Sequence, residues 1–596
     1  MRQDYLAIWD LSSDCHQGNG CSQESVGNLA LAHRGGCLSF YLNIACQNLR
    51  SGEGDAIIVG DLYQGTDPAT MINHLRPEQW RRVQATSGEM LIKDYWGCYI
   101  SFVIDNRKKQ LHVLRDPSGS MPCFYRIDQS RIIFSSRADL IELVSLSRCE
   151  PDWSSLVTHI AWPMIRHELT SIKGISELLP GALLTAGCGG ISTRQSWSPW
   201  AHAQGARTIP SWADAVAELR QRVIGCVGAL SSRSSHTLLA VSGGLDSSIV
   251  AAALVASKRH FSCLTLYTEE LIGDERSYAR ELTRHLKVDL HEEAENAEYV
   301  NIAASEARHL PRPVSRAFAQ SGDRVHQELA RKLGVDQFMT GGGGDNVFCF
   351  LHSAAPIADR LMTPAARLGS IRTLLDVARL NGVSVAAALN GAISKTRQFG
   401  LPHKWSPQAG FLSQAAREHL IIPPFHPWLA PPKSELPGKV MHVAWLVAIQ
   451  NHLEGFGREW MHPLRAPLLA QPIVEHCLRI PTWFWCSEGK DRALAREAFA
   501  DILPPAILNR RSKGTPTGFV IQLLDENRTF IRERLLEGLL AAEGIIDRAK
   551  VEAFFDRPDL RDVVPYMEIM TLVDVEAWLQ AWGQPSSRSG LPAHLV

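Results

Sequence analysis

A loop rich in glycine and serine lies between a strand pattern and a helical pattern near the middle of the chain. The apolar residues 237–241 precede it, residues 248–258 follow with a helical pattern, and the loop itself reads Ser242, Gly243, Gly244, Leu245, Asp246, Ser247. The unpaired N–H groups and the dipole of a helix N-terminus converge on such a loop and attract an anion. The sequence therefore predicts a phosphate-binding loop in an α/β domain.

Asp246 gives this predicted phosphate site a second property. A carboxylate would repel phosphate unless a divalent cation stood between them, and Mg²⁺ commonly bridges carboxylates to substrate phosphates. The loop has neither the lysine of a Walker A loop nor the third glycine of a dinucleotide fingerprint. The alternative is an ordinary strand-to-helix turn, since glycine and serine favour turns as well.

The segments around the loop alternate between strand and helix patterns. The strand patterns are at residues 237–241, 261–267 and 288–291, and the helical patterns are at residues 213–227, 248–258 and 276–286. Alternation of this kind predicts a parallel, doubly wound sheet. Beyond about residue 354, helical patterns dominate.

The first third of the chain has a different pattern, in which short strands are separated by turns. Runs rich in β-branched and aromatic residues predict strands at residues 56–59, 99–104, 110–114 and 131–134. The proline-containing stretch 198–211 marks a boundary. We therefore expect an α+β domain over residues 1–200 and an α/β domain with a helical C-terminal part over residues 210–596.

The composition narrows the possible classes of function. The 596 residues carry a formal net charge of -1, which gives no electrostatic reason to expect a nucleic-acid partner. We expect no membrane span, because no apolar run approaches the roughly 20 residues that one needs, and the early residues do not resemble a signal peptide. The 13 cysteines include no C-x-x-C pair, which argues against a disulfide framework and predicts a cytoplasmic protein.

The loop at Ser242 resembles the pyrophosphate-binding loop of the ATP-pyrophosphatases, which cleave ATP between the α and β phosphates. A second glycine loop, residues 340–348, resembles a segment of the asparagine synthetase superfamily. The resemblance implies ATP and Mg²⁺ as cofactors, with Asp246 and Asp345 as metal ligands. It also implies nucleotide contacts by Leu239, Ala240, Val241, Ser242, Gly243, Gly244, Asp246, Ser247, Leu266, Gly342 and Gly343. A flexible linker is the other interpretation of four consecutive glycines.

Shorter segments resemble other motifs of this superfamily, at residues 274–279, 465–469, 496–499, 503–504 and 510–514. In the second of these, Ala470 stands where the family has an aspartate. The family's catalytic lysine lies four residues before the arginine at position 496, where this chain has Arg492. Lys490 and Lys513 are the other candidates for a cation that stabilises negative charge while an amine attacks and AMP departs. The alternative is a solvated helical face.

The first domain resembles the N-terminal glutaminase domain of asparagine synthetases at residues 115–122, 134–136 and 174–181. The expected fold is thus a glutaminase-like (Ntn-type) sandwich followed by a doubly wound ATP-pyrophosphatase domain of the adenine nucleotide α-hydrolase type. Glutamine hydrolysis in that family depends on a cysteine directly after the initiator Met, where this chain has Arg2. Residues 60–63 replace the family's glutamine pocket as well. We therefore expect no ammonia production.

The nitrogen nucleophile must then be part of the substrate, as it is in β-lactam synthetases and in the macrolactam synthetases of lasso peptides. Asn346, where asparagine synthetases have Glu, and the spacing of Arg492 are most similar to the lasso peptide enzymes. That resemblance implies a precursor peptide as partner and allows for a leader-removing protease. The peptide N-terminal amine would capture an adenylated Asp or Glu side chain. Asparagine synthesis from free ammonia, β-lactam formation and a non-catalytic ATP-binding homologue are the alternatives.

Overall fold

The computed structural model describes residues 2–11, 24–35, 37–67, 69–205, 208–268, 274–418, 420, 422–511, 514, 517–556 and 563–583. Within these ranges the chain forms two antiparallel sheets, one parallel sheet and many helices. None of the helices in these ranges is long and apolar enough to cross a membrane. Cys37 is disulfide-bonded, which the cysteine spacing did not lead us to expect.

The first part of the chain forms the two antiparallel sheets. In spatial order, one sheet contains Ile175–Glu177, Phe124–Asp128, Arg131–Ser135, Tyr5–Asp10, Leu38–Leu42, Leu29–Gly35 and Ser25–Val26. The other contains Gly190–Gln195, Ala182–Gly187, Gln110–Arg115, Trp96–Asp105, Ala56–Gln64 and Asn48–Arg50, with Thr70–Met71 paired to Ala56–Gln64. All four strands that the sequence predicts in this part are present, and each is longer than expected.

Side chains from the two sheets interdigitate to form the core between them. Phe40 of one sheet packs edge to face against Phe102 of the other, with ring centroids 5.0 Å apart, and all three rings of Phe40, Phe102 and Phe134 are fully buried. Because successive side chains of a strand point to opposite faces of its sheet, this packing buries one face of each sheet. The predicted glutaminase-like sandwich is therefore confirmed.

The parallel sheet carries the predicted phosphate loop. Its strands, in spatial order, are Leu290–Ala294, Phe261–Tyr267, Thr237–Ala240, Gln337–Thr340 and Leu464–Arg465. Successive strands are connected by the helices Leu245–Ala256, Arg276–Leu286 and Ala319–Leu333. The carboxyl ends of parallel strands meet at one edge of a sheet, and ligands bind there. This arrangement confirms the predicted doubly wound α/β domain.

Two boundaries near that edge differ from the sequence prediction. The helix expected at residues 248–258 is Leu245–Ala256, because the extended backbone of Gly244 (φ -71°, ψ 160°) lets the first turn start at Leu245. The strand expected at residues 288–291 is Leu290–Ala294. It is the edge strand of the sheet, where charged side chains are tolerated, so Glu292 and Glu293 do not end it.

Helices make up most of the remaining structure. Those beside the sandwich are Pro77–Ala85, Met90–Asp94, Ala138–Val144, Trp153–Ala161 and Trp200–Ala203, and Trp212–Leu230 leads into the parallel sheet. The later ones are Gly344–Val347, Ala355–Met362, Ser370–Asn381, Val385–Thr396, Gln414–Glu418, Pro437–Ala448, Gln471–Arg479, Ala493–Ala498, Pro505–Leu508, Thr517–Glu526, Arg528–Glu537, Leu539–Ala542, Arg548–Phe555 and Val563–Gly583. The predicted helical C-terminal part is thus present.

A buried cluster of charges joins the sandwich to the rest of the chain. Glu177 is fully buried and forms ion pairs with Arg115 (2.6 Å), Arg166 (2.8 Å) and Arg312. Arg166 also donates a hydrogen bond to the carbonyl oxygen of Gln450 (2.9 Å). Since Arg312 and Gln450 lie in the second part of the chain, this cluster fixes the two parts to each other.

Candidate active site

The loop after the strand Thr237–Ala240 is arranged to receive an anion. Gly244 is the N-cap of the helix Leu245–Ala256, so the first N–H groups of this helix have no partner within it. The Ser242 hydroxyl lies 3.4 Å from the N–H of Gly244, and the Ser247 hydroxyl lies 3.3 Å from the Gly244 carbonyl oxygen. Backbone and hydroxyl donors therefore converge at this helix start, as a phosphate requires.

The two glycine loops pack directly against each other. A Cβ atom at Gly341 would stand 2.4 Å from the backbone nitrogen of Ser247, and one at Gly344 would stand 2.3 Å from Cγ of Asp246. Gly343 has a φ of 86°, which a residue with a side chain rarely adopts. Gly341, Gly343 and Gly344 are therefore needed for this packing, which excludes the flexible-linker interpretation.

Arg492 connects the two predicted metal ligands. Its Nη1 atom lies 3.1 Å from the Asp246 carboxylate and also contacts Asp345, while its Nε atom donates to Asp491 at 2.8 Å. Burial disfavours the charged guanidinium, but these three carboxylates outweigh burial and raise the pKa of Arg492. The residue has a left-handed backbone (φ 49°), a costly conformation that its ion pairs hold in place.

The two carboxylates fit a magnesium ion. One guanidinium nitrogen reaches both of them, so a cation can be held between Asp246 and Asp345. Within the described ranges, no group of three or more His, Cys, Asp or Glu side chains could hold a metal. Mg²⁺ needs no such group where substrate phosphates and water complete its coordination. The fit therefore depends on the nucleotide being bound as well.

A cavity of about 540 Å³ lies above the carboxyl ends of the parallel strands. Nine residues of the predicted ATP site line it, namely Ala240, Val241, Ser242, Gly244, Asp246, Ser247, Leu266, Gly342 and Gly343, and Asp345 lines it as well. Leu239 is buried in its strand and does not line it. Gly243 does not line it either, because its Cα faces Tyr278, where a Cβ atom would stand 2.3 Å from the Tyr278 Cβ atom.

The structure separates the candidate catalytic cations. Arg492 is 8% exposed and lines the 540 Å³ cavity. Lys490 instead lines a separate cavity of about 560 Å³ beside Trp212 and Trp483, and its amine lies 3.5 Å from the Glu488 carboxylate. Lys513 lies outside the described residues. Of the three candidates, Arg492 is the one that the structure brings to the metal carboxylates, and its catalytic role stays a prediction.

The cavity also contains charged residues that the sequence analysis did not assign. Arg510 donates a hydrogen bond to the carbonyl oxygen of Ser242 (2.9 Å), stacks on Tyr278 and pairs with Glu275. Arg510 and Glu275 belong to family-like motifs, so those motifs could have identified them. Glu295 lines the cavity as well. It went unnoticed because the preceding strand was expected to end four residues earlier.

The glutaminase position of the sandwich holds charged side chains in place of a nucleophile. Arg2 lies 3.3 Å from the Asp4 carboxylate and donates to the Ser136 carbonyl oxygen at 3.3 Å. Arg2 and Cys98 both line a small cavity of about 120 Å³. Burial raises the pKa of the Cys98 thiol to about 11. A thiol that stays protonated at neutral pH is a poor nucleophile. Within the described chain, this cavity therefore offers no activated cysteine.

Asp61, one of the residues expected to replace the family's glutamine pocket, forms ion pairs across the domain interface. Asp61 is 3% exposed, pairs with Arg465 at 2.5 Å and lies 3.5 Å from Arg233. Both arginines belong to the second part of the chain. The side chain is therefore committed to the interface and cannot hold a free amino acid without losing these partners.

Comparisons with known proteins agree with this geometry. Residues 81–197 match the family model described as a glutamine amidotransferase domain. A search of curated protein sequences finds no match. One similar solved structure is the glutamine phosphoribosylpyrophosphate (PRPP) amidotransferase from B. subtilis complexed with ADP and GMP, at 10% identity and TM-score 0.20, covering 51% of this chain and 83% of that one. Another is described as the allosteric regulatory enzyme of purine biosynthesis, at 8% identity and TM-score 0.19, covering 50% and 76%.

Both TM-scores are too low to indicate a shared fold over the whole chain. The family match of the second domain is more extensive, because residues 218–582 match the model described as asparagine synthase, and they are more than half of the chain. They contain both glycine loops, both predicted metal ligands and Arg492. The chain therefore belongs to the asparagine synthase family of ATP-dependent ligases, which form C–N bonds through an adenylate.

Proposed function

We propose that this ligase is a macrolactam synthetase that closes the ring of a lasso peptide. On this proposal it adenylates an Asp or Glu side chain of a precursor peptide, and the N-terminal amine of the same peptide displaces AMP. The observation that carries the proposal is a cavity lined by most of the predicted ATP-site residues, together with Arg2 at the position expected for the glutaminase nucleophile. A ligase of this family without its own ammonia source needs an amine that arrives with the substrate.

The cavity residues have definable roles in this reaction. A carboxylate oxygen of the peptide attacks the α-phosphorus of ATP, the bond to the β-phosphate oxygen breaks, and pyrophosphate leaves. The loop of residues 242–247 would bind the leaving pyrophosphate through its N–H and hydroxyl groups. Asp246 and Asp345 would hold a Mg²⁺ ion, which would supply positive charge to the phosphates when bound.

In the second step the peptide amine attacks the acyl carbon, a C–N bond forms, and AMP leaves as the amine loses a proton. Arg492 lies at the carboxylates that border the reacting phosphate, where a guanidinium can stabilise the charge on departing AMP. Holding both reacting groups on one peptide makes the attack effectively unimolecular, which lowers the barrier substantially. The enzyme then has to position the peptide and exclude water.

The test uses the full chain with MgATP and the precursor peptide encoded beside its gene, trimmed to free the N-terminal amine. We expect a peptide product lighter by one water, with one AMP and one pyrophosphate formed per ring. A peptide acetylated at its N-terminus should still support pyrophosphate exchange but give no ring. Replacing the acceptor Asp or Glu by its amide should abolish both.

Other outcomes would replace this proposal with one of its alternatives. Asparagine formed from aspartate and ammonia would identify an ammonia-dependent asparagine synthetase. Ring closure of a small β-amino acid, with no reaction of the peptide, would identify a β-lactam synthetase. Binding of ATP without any pyrophosphate release from these substrates would favour the non-catalytic homologue.

A further inference from the structure

Glu295 follows the edge strand Leu290–Ala294 and lines the nucleotide cavity. Its backbone N–H donates to the Tyr267 carbonyl oxygen (2.7 Å), which fixes it beside the end of the neighbouring strand Phe261–Tyr267. A Cβ atom at Gly322 would stand 2.9 Å from Cδ1 of Leu266 and 3.7 Å from Oε1 of Glu295. The Glu295 carboxylate and the Leu266 side chain therefore border the same small space.

Within the part of the chain that the structure describes, the carboxylate of Glu295 has no protein partner. Among the described residues, no side chain or N–H group donates a hydrogen bond to it, and no arginine, lysine or histidine forms an ion pair with it. Burial alone raises the pKa of this carboxyl to about 7. Buried polar groups in proteins are nearly always hydrogen-bonded, and an unpaired carboxyl in a cavity indicates a missing ligand group.

The position of Glu295 in the sheet indicates which part of a nucleotide it meets. The phosphate loop follows the strand Thr237–Ala240, and Glu295 follows a strand two places away in the sheet. Neighbouring strands are about 4.8 Å apart, so the two positions are separated by about 10 Å across the cavity. This span is comparable to a nucleoside. With phosphate at the loop, the base would reach the side of the cavity where Glu295 and Leu266 lie.

We propose that Glu295 accepts a hydrogen bond from the 6-amino group of adenine and thereby selects ATP over 6-oxopurine nucleotides. The 6-amino group is a donor and pairs with a carboxylate, whereas the 6-oxo group is an acceptor and is repelled by it. A site built for a hydrogen bond rejects an analogue that cannot make it, because its buried polar group is left unpaired. Glu295 is thus a specificity residue for the nucleotide.

This inference rests on the use of ATP by the family and not on the peptide substrate proposed above. The test accordingly measures binding of MgATP and MgITP to the full chain without peptide, by calorimetry at pH 8, where the Glu295 carboxyl is charged. ITP differs from ATP in its 6-oxo group and in the hydrogen that this group places on N1. We expect the wild type to bind ATP roughly 10- to 100-fold more tightly than ITP.

Two substitutions separate a specificity role from a structural one. Glu295→Ala should weaken ATP binding and bring the ATP-to-ITP affinity ratio close to one. Glu295→Gln should accept both nucleotides, because its amide can turn to accept from an amino group or to donate to an oxo group. Because the partly buried carboxyl has no partner among the described residues, its removal leaves no group unpaired, and neither variant should unfold at a lower temperature.

Glu293→Gln is the matched control, because Glu293 lies on the same strand with its side chain exposed. The Glu293→Gln variant should keep the wild-type ATP-to-ITP affinity ratio. An unchanged ATP-to-ITP affinity ratio in both Glu295 variants would overturn the proposal. So would variants that keep this ratio but no longer discriminate ATP from 2′-deoxy-ATP, because that result would place Glu295 at the ribose. If the ring-closure assay fails but the Glu295 variants have an altered ATP-to-ITP affinity ratio, only the peptide proposal is overturned.

Discussion

At the scale of single residues, Arg492 is the candidate catalytic cation that makes the most contacts with predicted site residues among those that the structure describes. It contacts both predicted metal ligands and forms an ion pair with Asp491, which in turn accepts from Arg496 at 2.7 Å. From the sequence alone, Arg492 is only one of three basic residues that could be the catalytic cation. Spacing along a chain cannot say which of several nearby cations faces a cavity, because turns such as the left-handed Glu488 and Arg492 redirect side chains.

Arg492→Ala should lower kcat by roughly 100- to 1000-fold, since it removes a donor aimed at charge that develops during the reaction. Arg492→Lys should keep more activity, because the family uses a lysine at this position. The measurement is AMP formation at saturating MgATP and substrate. Lys490→Ala should stay close to wild type, since among the described residues Lys490 forms an ion pair only with Glu488, at the surface. The reverse order of effects would move the catalytic cation to Lys490.

The metal assignment gives a second prediction at this scale. Asp246→Asn and Asp345→Asn should each reduce pyrophosphate release by at least about 100-fold, because each amide supplies less negative charge to a shared Mg²⁺. Raising the Mg²⁺ concentration should restore part of the activity in both variants. Full activity of either variant at ordinary Mg²⁺ would remove that residue from the metal site.

At the scale of elements, the contact between the two glycine loops gives a prediction with a built-in control. Gly341→Ala would place a Cβ atom 2.4 Å from the Ser247 backbone nitrogen, whereas the nearest atoms to a Cβ at Gly342 are 3.5 Å away. We expect Gly341→Ala to lower the free energy of unfolding by about 1–3 kcal/mol and Gly342→Ala to leave it nearly unchanged. Urea unfolding measures both. Equal effects would mean that the loops do not need this close approach.

The elements themselves follow from the sequence wherever local chemistry decides them. The strand Phe261–Tyr267 and the helix Arg276–Leu286 have the predicted bounds, because apolar runs and periodic spacing are local signals. The start of the helix Leu245–Ala256 and the end of the strand Leu290–Ala294 do not, because polar residues there serve the ligand site or the sheet edge. Because of that second error, Glu295 was not among the predicted site residues.

At the scale of the whole molecule, the sequence predicts that glutaminase activity is absent, but the contacts across the domain interface could not be predicted from it. The identity of Arg2 at the nucleophile position is visible in the sequence. The pairing of Asp61 with Arg465 joins residues about 400 positions apart, and no local pattern encodes such a contact. The same holds for Glu177, whose partner Arg312 lies across the domain interface.

Glu177 therefore gives the prediction that belongs to the whole molecule. Glu177→Gln should lower the free energy of unfolding by about 3–5 kcal/mol, because it leaves buried Arg115, Arg166 and Arg312 without their shared carboxylate. Glu150→Gln is the control, since the ion pair between Glu150 and Lys173 is exposed and contributes at most about 1 kcal/mol. Calorimetric unfolding of the full chain measures both variants.

The pH dependence of the stability of wild type and of Glu177→Gln tests whether the lost ion pairs cause the destabilisation. Burial opposes ionisation of Glu177, but Arg166, Arg312 and Arg115 outweigh it and hold its pKa well below the usual range. A carboxyl with a lowered folded pKa stabilises the fold fully above its unfolded pKa of about 4.3, and this contribution is lost as the pH falls below that value. The stability gap between wild type and Glu177→Gln should therefore be constant from pH 8 to pH 5 and shrink on further acidification. A gap that stays constant down to pH 3 would show that the variant loses packing and not an ion pair.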